Sequence, residues 1–147
     1  MIKHSEVSVG DQLPAQTFPV RRLDLVRYAG ASGDFNPIHW NERFAKAVGL
    51  PDVIGHGMFT MAEAVRVVTD WCGDPGLIVE YHVRFTKPVV VPDGLGDEDG
   101  ARLEVTAKIG AVVEHEATGG FVARVDLTAR SGDEKVLGIA RALVRLA

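Results

Sequence analysis

A short segment with a carboxylate, an imidazole and a proline between them is the part of the sequence best suited to chemistry. Asp34 and His39 stand five positions apart in the run GDFNPIH at positions 33–39. One carboxyl and one imidazole held side by side can act as general acid and general base, and the carboxylate can raise the basicity of the imidazole. Pro37 restricts the loop between them, so we expect the two groups to keep their separation.

The same residues also have ordinary structural interpretations. An aspartate that follows a glycine often hydrogen-bonds within its own turn, and a lone histidine is often a structural residue. Asp34, His39 and His56 together have the side-chain types of a metal site. Asn36 is expected to order the loop or to position a water molecule. The residues alone leave these interpretations open.

Helical periodicity surrounds this loop. Helices are predicted over 23–31, over 42–48 with Asn41 as its cap, and over 56–72, the longest of the three, with Gly57 at its beginning. Glycines bracket the end of the first helix, and a glycine followed by a proline ends each of the other two. The predicted apolar face of the first helix consists of Leu23, Val26 and Ala29 or Gly30. That of the third helix consists of Met58, Met61, Ala62, Val65, Val68 and Thr69.

From residue 77 onward, apolar and polar residues alternate, which predicts strands of an antiparallel sheet with one buried face. Hairpin turns are predicted at 119–120 and 131–133, a last strand at 136–146 and a short extended piece at 17–20. Only the helix at 56–72 is long enough to cover the buried face of such a sheet. The pattern therefore predicts an α+β protein. The alternating apolar positions are Tyr81, Val83, Phe85, Leu103, Val105, Ala107, Ile109, Phe121, Ala123, Val125, Leu127 and Ala129.

Composition narrows the class of protein. With 147 residues, the chain fits one domain, and a net charge of −4 argues against nucleic-acid binding. No stretch approaches the roughly 20 apolar residues of a membrane span, and the N-terminus lacks a secretory signal, so we expect a cytoplasmic protein. The single cysteine, Cys72, is expected to be a small buried residue. The acidic run 93–99 is expected to be a solvated loop.

Three motifs resemble those of the MaoC-like (R)-specific hydratases and dehydratases, also called hydratase 2. The segment 28–39 resembles the family signature of an aromatic, small residues and Asp-x-Asn-Pro-x-His. The run IGHGM at 54–58 resembles the segment that opens the family's central helix, and 81–88 resembles its strand with an aromatic and a following proline. Three further runs, 9–14, 36–40 and 71–76, are most similar to the catalytic subunits of actinobacterial heterodimeric (3R)-hydroxyacyl-ACP dehydratases.

The resemblance implies a single hotdog domain over 1–147, with a long central helix wrapped by an antiparallel sheet. It implies Asp34 and His39 as the catalytic pair in reversible syn elimination of water from a 3-hydroxyacyl thioester. His39 would take the C2 proton and Asp34 would protonate the leaving hydroxyl. The reverse division of roles, or both groups acting on one shared water, stays open. The amide of Gly57 would bind the thioester oxygen, with Asn36 and His56 in supporting roles. Neither a metal nor a cofactor is expected, since the acyl group rides on the phosphopantetheine of ACP or CoA.

Three functions remain open on this basis. The first is a dehydratase of fatty-acid elongation, with acyl carrier protein as partner. The second is an (R)-specific enoyl-CoA hydratase of acyl-CoA catabolism, and the third is a non-catalytic acyl-binding subunit of a hotdog heterodimer. Because one sheet wrapped on one helix leaves an exposed edge, we expect a homodimer or a heterodimer with a related hotdog subunit. The candidate walls of an acyl tunnel are Phe35, Trp40, Phe44, Phe59 and Trp71.

Overall fold

The computed structural model describes residues 2–94 and 100–147, so most of the predicted acidic loop lies outside the described residues. Within these residues, three α-helices lie in the first half of the chain, and a sheet dominates the second half. The elements in chain order are β1 (Gln12–Val20), α1 (Arg22–Ser32), α2 (Glu42–Ala47), α3 (Gly57–Cys72), β2 (Ile78–His82), β3 (Ala101–His115), β4 (Gly120–Ser131), β5 (Glu134–Lys135) and β6 (Ala140–Arg145).

The strands form one antiparallel sheet in the order β1-β3-β4-β6-β2, and the short β5 pairs with β4. β2 therefore lies at an edge beside β6, and it does not pair with β3, the next strand along the chain. The hairpin turns predicted at 119–120 and 131–133 are confirmed, with Gly119 and Gly132 at positive φ.

Helix α3 packs against one face of this sheet and contacts β1, β3, β4 and β6. The alternation predicted in β3 and β4 is confirmed, because its apolar members from Leu103 to Ile109 and from Ala123 to Ala129 are buried. The predicted architecture, a long central helix wrapped by an antiparallel sheet, is confirmed. The buried residues of α3 are Thr60, Ala64, Val67, Val68 and Cys72.

The predicted buried faces of α1 and α3 are wrong in part. In α1 the buried residues are Leu25 and Ala29, while Leu23 and Val26 are more than half exposed. In α3 only Val68 of the predicted residues is among the buried ones, and Met58 is exposed. Both helices carry apolar residues on more than one side, and in that case periodicity does not determine which side meets the sheet.

The predicted last strand, 136–146, is interrupted, because β6 begins only at residue 140. The segment 136–139 pairs instead with residues 84–86, which follow β2. Thr86 N–H donates to the oxygen of Val136 at 3.0 Å, and Arg84 N–H donates to the oxygen of Ile139 at 3.0 Å. This pairing carries Phe85 to the beginning of α3.

Two smaller expectations concern single features. Cys72 is buried at the end of α3, with Sγ 3.2 Å from the main-chain oxygen of Asp74, which confirms the prediction of a small buried residue. The extended piece predicted at 17–20 is the end of a longer strand, β1. Among the described residues, no helix combines the length and apolar character that crossing a bilayer requires.

Candidate active site

The loop between α1 and α2 is built from side chains that bond its own backbone. Gly33 ends α1 with φ +77°, and Asp34 N–H donates to Ser32 Oγ at 3.2 Å. Asp34 Oδ1 accepts from the N–H of Asn36 at 3.2 Å, and Asn36 Oδ1 accepts from the N–H of Ile38 at 3.3 Å. Asp34 thus has the turn role expected of its residue type, and one of its oxygens remains for other contacts.

Three hydrogen bonds tie this loop to the segment that leads into α3. Ile54 N–H donates to the oxygen of Ile38 at 3.1 Å. His39 Nδ1 lies 2.7 Å from the oxygen of Ile54, and His56 Nε2 lies 3.1 Å from the oxygen of Asp34. A main-chain oxygen only accepts, so each of these ring nitrogens carries a hydrogen. In its neutral form, His39 therefore has its lone pair on Nε2, and His56 has its lone pair on Nδ1.

The nitrogen that carries the lone pair of neutral His39 lies near the carboxylate of Asp34. Nε2 lies 3.8 Å from Asp34 Oδ2, and the His39 side chain is 8% exposed while that of Asp34 is 52% exposed. This distance exceeds a direct hydrogen bond, so a hydroxyl group or a water molecule can lie between the two atoms and bond both. The arrangement can take a proton at one atom and give one at the other.

His56 lies behind this pair and is 1% exposed. Its ring stacks on that of His39, with centroids 3.7 Å apart and planes inclined by 22°, and the ring of Tyr28 packs on it at 4.8 Å. Burial lowers the pKa of His56, against an opposing effect of the bonded oxygen of Asp34. The second ring is therefore neutral near pH 7.

The first residue of α3, Gly57, opens onto a cavity of about 300 Å³ that His39 also lines. No side chain caps the first turn of α3, so its amides have no intrahelical acceptor and none from a cap. A Cβ on Gly57 would lie 3.3 Å from two ring carbons of Phe85, so this ring packs over the glycine. Further lining residues are Ile54, Thr60, Val89 and Val136.

Asp34, His39 and His56 each offer one ligand atom, all within 4.8 Å of one another. A metal ion binds an imidazole along its in-plane lone pair, at about 2.0–2.1 Å for zinc. Because the two rings are stacked, their lone pairs lie in nearly parallel planes, and no single point is at that distance in the plane of both. The geometry favours proton transfer over metal binding.

Some cavity residues escaped the sequence prediction. Phe85 was not among the predicted walls, because the pairing of 84–86 with 136–139 that places it has no local signal. Thr60 could have been found, since it follows Gly57 by one helical turn. None of the five predicted wall residues lines the cavity beside His39, and Phe59 instead lines a second cavity between α1 and α3, of about 540 Å³.

An antiparallel sheet wrapped on a central helix, with these groups at the beginning of that helix, defines a protein of the hotdog fold. Residues 6–118 match the family described as MaoC like domain. The chain belongs to this family, as the three sequence motifs predicted.

Two named proteins and one solved structure are similar to part or most of the chain. It is 42% identical over 83 residues to 3-hydroxyacyl-thioester dehydratase X of Mycobacterium tuberculosis, covering 56% of this chain and 29% of that protein. It is 33% identical over 120 residues to fatty acid synthase subunit beta of Aspergillus oryzae, covering 78% of this chain and 5% of that protein. A solved MaoC-like dehydratase is 40% identical, with a TM-score of 0.87 over 99% of this chain and 42% of that chain. The chain spans less than half the length of each of these proteins.

Proposed function

We propose that this chain catalyses the reversible syn elimination of water from a (3R)-hydroxyacyl thioester carried on acyl carrier protein, in fatty-acid elongation. The observation that carries the proposal is the distance of 3.8 Å between Nε2 of His39 and Oδ2 of Asp34. The first turn of α3 begins in the same cavity. The names of the dehydratase and fatty-acid synthase relatives support this reaction class.

In the dehydration direction, Nε2 of neutral His39 takes the proton from C2 of the substrate. The electron pair of the C2–H bond forms the double bond to C3, the C3–O bond breaks, and protonated Asp34 gives its proton to the departing hydroxyl. Water leaves, and the pair is left as imidazolium and carboxylate. The proton on Nε2 then passes to the Asp34 carboxylate, 3.8 Å away, through a bound water, which restores the starting state. Hydration runs the same steps in reverse, so the active form of the pair holds one proton that the two residues share throughout the cycle.

The amide of Gly57 would stabilise the thioester oxygen while negative charge develops on it. Donors at a helix N-terminus suit an oxyanion, because the helix dipole adds to the hydrogen bond. The absence of a side chain at this position lets the thioester approach the backbone. Asn36 would act indirectly, by ordering the loop that carries Asp34.

Asp34→Asn and His39→Ala test the proposal, in an assay that follows hydration of a trans-2-enoyl thioester by loss of its ultraviolet absorbance. Each substitution is expected to lower kcat by at least about 10²-fold, as loss of a general acid or base does. Asp133→Asn and His4→Ala, exposed and outside the cavity, are the matched controls. Unchanged hydration in both site variants would remove the catalytic proposal and leave the non-catalytic acyl-binding subunit.

Carrier preference and stereochemistry need separate measurements. Matched ACP and CoA substrates of one chain length are expected to give the higher kcat/KM with ACP. Equal or better turnover of short CoA esters would favour the enoyl-CoA hydratase of acyl-CoA catabolism. The hydration product is expected to be the (3R) alcohol alone, which chiral chromatography of the released acid checks.

The proposed assembly is a dimer, with itself or with a related hotdog subunit, formed along β2. In the described part of the chain, β2 and β1 are the two edges of the sheet. β1 contains Pro14 and Pro19, which cannot donate to a neighbouring strand, whereas β2 contains no proline. Light scattering on the chain alone and with candidate partner subunits tests this, and a stable, active monomer would contradict it.

No metal is proposed, and no cofactor beyond the phosphopantetheine of the substrate. Treatment with a strong chelator followed by gel filtration is expected to leave kcat unchanged, whereas restoration of lost activity by a divalent ion would contradict the acid–base mechanism.

The proposed location is the cytoplasm, to be checked by cell fractionation with an antibody to the chain.

A further inference from the structure

A buried histidine that does not reach the substrate cavity joins the two reacting side chains. Neither Asp34 nor His56 is among the residues that line the cavity beside His39. The Asp34 side chain is half exposed and open to a substrate, whereas His56 is 1% exposed and contacts both members of the pair. Its Nε2–H bonds the main-chain oxygen of Asp34, and its ring lies flat against that of His39. Its other nitrogen, Nδ1, is buried without a hydrogen-bond partner among the described residues.

A side chain of only structural value would be expected to satisfy both of its nitrogens or to be apolar, because a buried unpaired nitrogen is costly. His56 instead contributes two features that, among side chains of this size, only an imidazole combines. One is a donor at Nε2, which holds the loop that carries Asp34. The other is a flat face, which fixes the plane of the His39 ring.

We propose that His56 is a positioning residue that sets the separation between Asp34 and His39. It does so as a neutral imidazole of the opposite tautomer to its neighbour. The main-chain oxygen of Ile54 holds the hydrogen of His39 on Nδ1, and that of Asp34 holds the hydrogen of His56 on Nε2. This inference rests on the proposed acid–base function of the pair and adds a third residue that acts only through the other two.

The tautomers provide a test that is independent of activity. In ¹⁵N-histidine-labelled protein above pH 7, NMR correlation of ring nitrogens and carbons distinguishes Nδ1–H from Nε2–H imidazoles, and His39→Ala and His56→Phe assign the signals. His39 is expected as the Nδ1–H form and His56 as the Nε2–H form. His56 found as the Nδ1–H form would overturn the proposal.

Two substitutions separate the two contacts of His56. His56→Phe keeps a flat ring on His39 and removes the donor to Asp34, whereas His56→Gln keeps an amide donor and removes the ring. Each is expected to lower kcat by about 10- to 10²-fold, the effect of misplacing a reacting group by up to about 1 Å. KM is expected to stay within about twofold, because His56 is 1% exposed. Tyr81→Phe, which removes a hydrogen bond to α3 outside the cavity, is the control for a general loss of stability.

A double-mutant cycle distinguishes positioning from general loss of structure. If His56→Phe acts by moving Asp34, its effect on kcat disappears in the Asp34→Asn background, while His56→Gln still lowers kcat there through His39. Equal losses from His56→Phe in both backgrounds, or wild-type kcat in a folded His56→Phe protein, would overturn the inference. Asp34→Asn and His39→Ala test the proposed function without any change at His56. A failure of the proposed function can therefore be distinguished from a failure of the inference about His56.

Discussion

Substitution of Gly57 by alanine separates the stability of α3 from the chemistry proposed at its first turn. The added Cβ would lie 3.3 Å from two ring carbons of Phe85, slightly closer than an ordinary contact of 3.4–4 Å. The Phe85 ring is about half exposed and can retreat by the few tenths of an ångström required. Alanine is favoured over glycine in a helix by up to about 1 kcal/mol. We therefore expect the free energy of unfolding to change by less than about 1 kcal/mol.

The activity of Gly57→Ala is expected to change far more than its stability. In the proposed complex the methyl group would lie at the approach to the amide of residue 57 and would displace the thioester oxygen by up to about 1 Å. A displacement of this size costs about 10²-fold, and kcat/KM for hydration of a trans-2-enoyl thioester should fall by about that factor. Urea unfolding of the same preparations measures the stability.

Gly30→Ala is the matched control, since Gly30 lies in α1 and a Cβ there meets no atom within 4 Å. It should raise stability by up to about 1 kcal/mol and leave kcat/KM unchanged. A Gly57→Ala protein with kcat/KM within threefold of wild type would refute the placement of the thioester at this amide. An unfolded Gly57→Ala protein would refute the estimate of its packing.

Three further predictions concern stability. Because burial lowers the pKa of His56 from 6.5, the unfolded chain binds that proton more tightly. The free energy of unfolding should therefore fall as pH drops below about 6.5, by up to about 1.4 kcal/mol per pH unit, a component that urea titrations of His56→Phe should lack. Arg22 bonds two carboxylates and a main-chain oxygen, so Arg22→Gln should cost about 2 kcal/mol in urea unfolding, against about 0.5 kcal/mol or less for the exposed Arg27→Gln. The Tyr81 hydroxyl donates to a main-chain oxygen of α3 at 3.0 Å, and Tyr81→Phe should cost about 1 kcal/mol with kcat unchanged.

The features that the sequence predicted correctly depend on short stretches of chain. Asn41 caps α2 by accepting from the N–H of Phe44 at 3.1 Å, a bond that spans three residues. Gly73 ends α3 at φ +73°, where other residues are strained. The alternation in β3 and β4 identifies their buried side, because side chains on a strand point to the two faces in turn. Each of these signals is complete within one element.

The features that the sequence did not predict depend on contacts between distant elements. The place of β2 beside β6, the interruption of the last strand and the position of Phe85 all follow from pairing across more than 50 residues. The wrong face of α1 has the same origin, since Leu23 and Leu25 are equally apolar and only the neighbouring elements decide which is buried. No local pattern contains that information.

The candidate site depends both on short stretches of sequence and on contacts between distant segments, because its two motifs are hydrogen-bonded to each other. Five residues of sequence and a proline do not by themselves hold Asp34 near His39, since Asp34 lies before the proline on a loop of turns. The three hydrogen bonds to residues 54 and 56 fix that loop and select the tautomer of each ring. The same short segment leads directly into Gly57. The Asp-x-Asn-Pro-x-His run and the Gly-His-Gly run therefore depend on each other: a substitution in the second that breaks one of these bonds should disturb the acid–base pair in the first, even where it touches neither reacting atom.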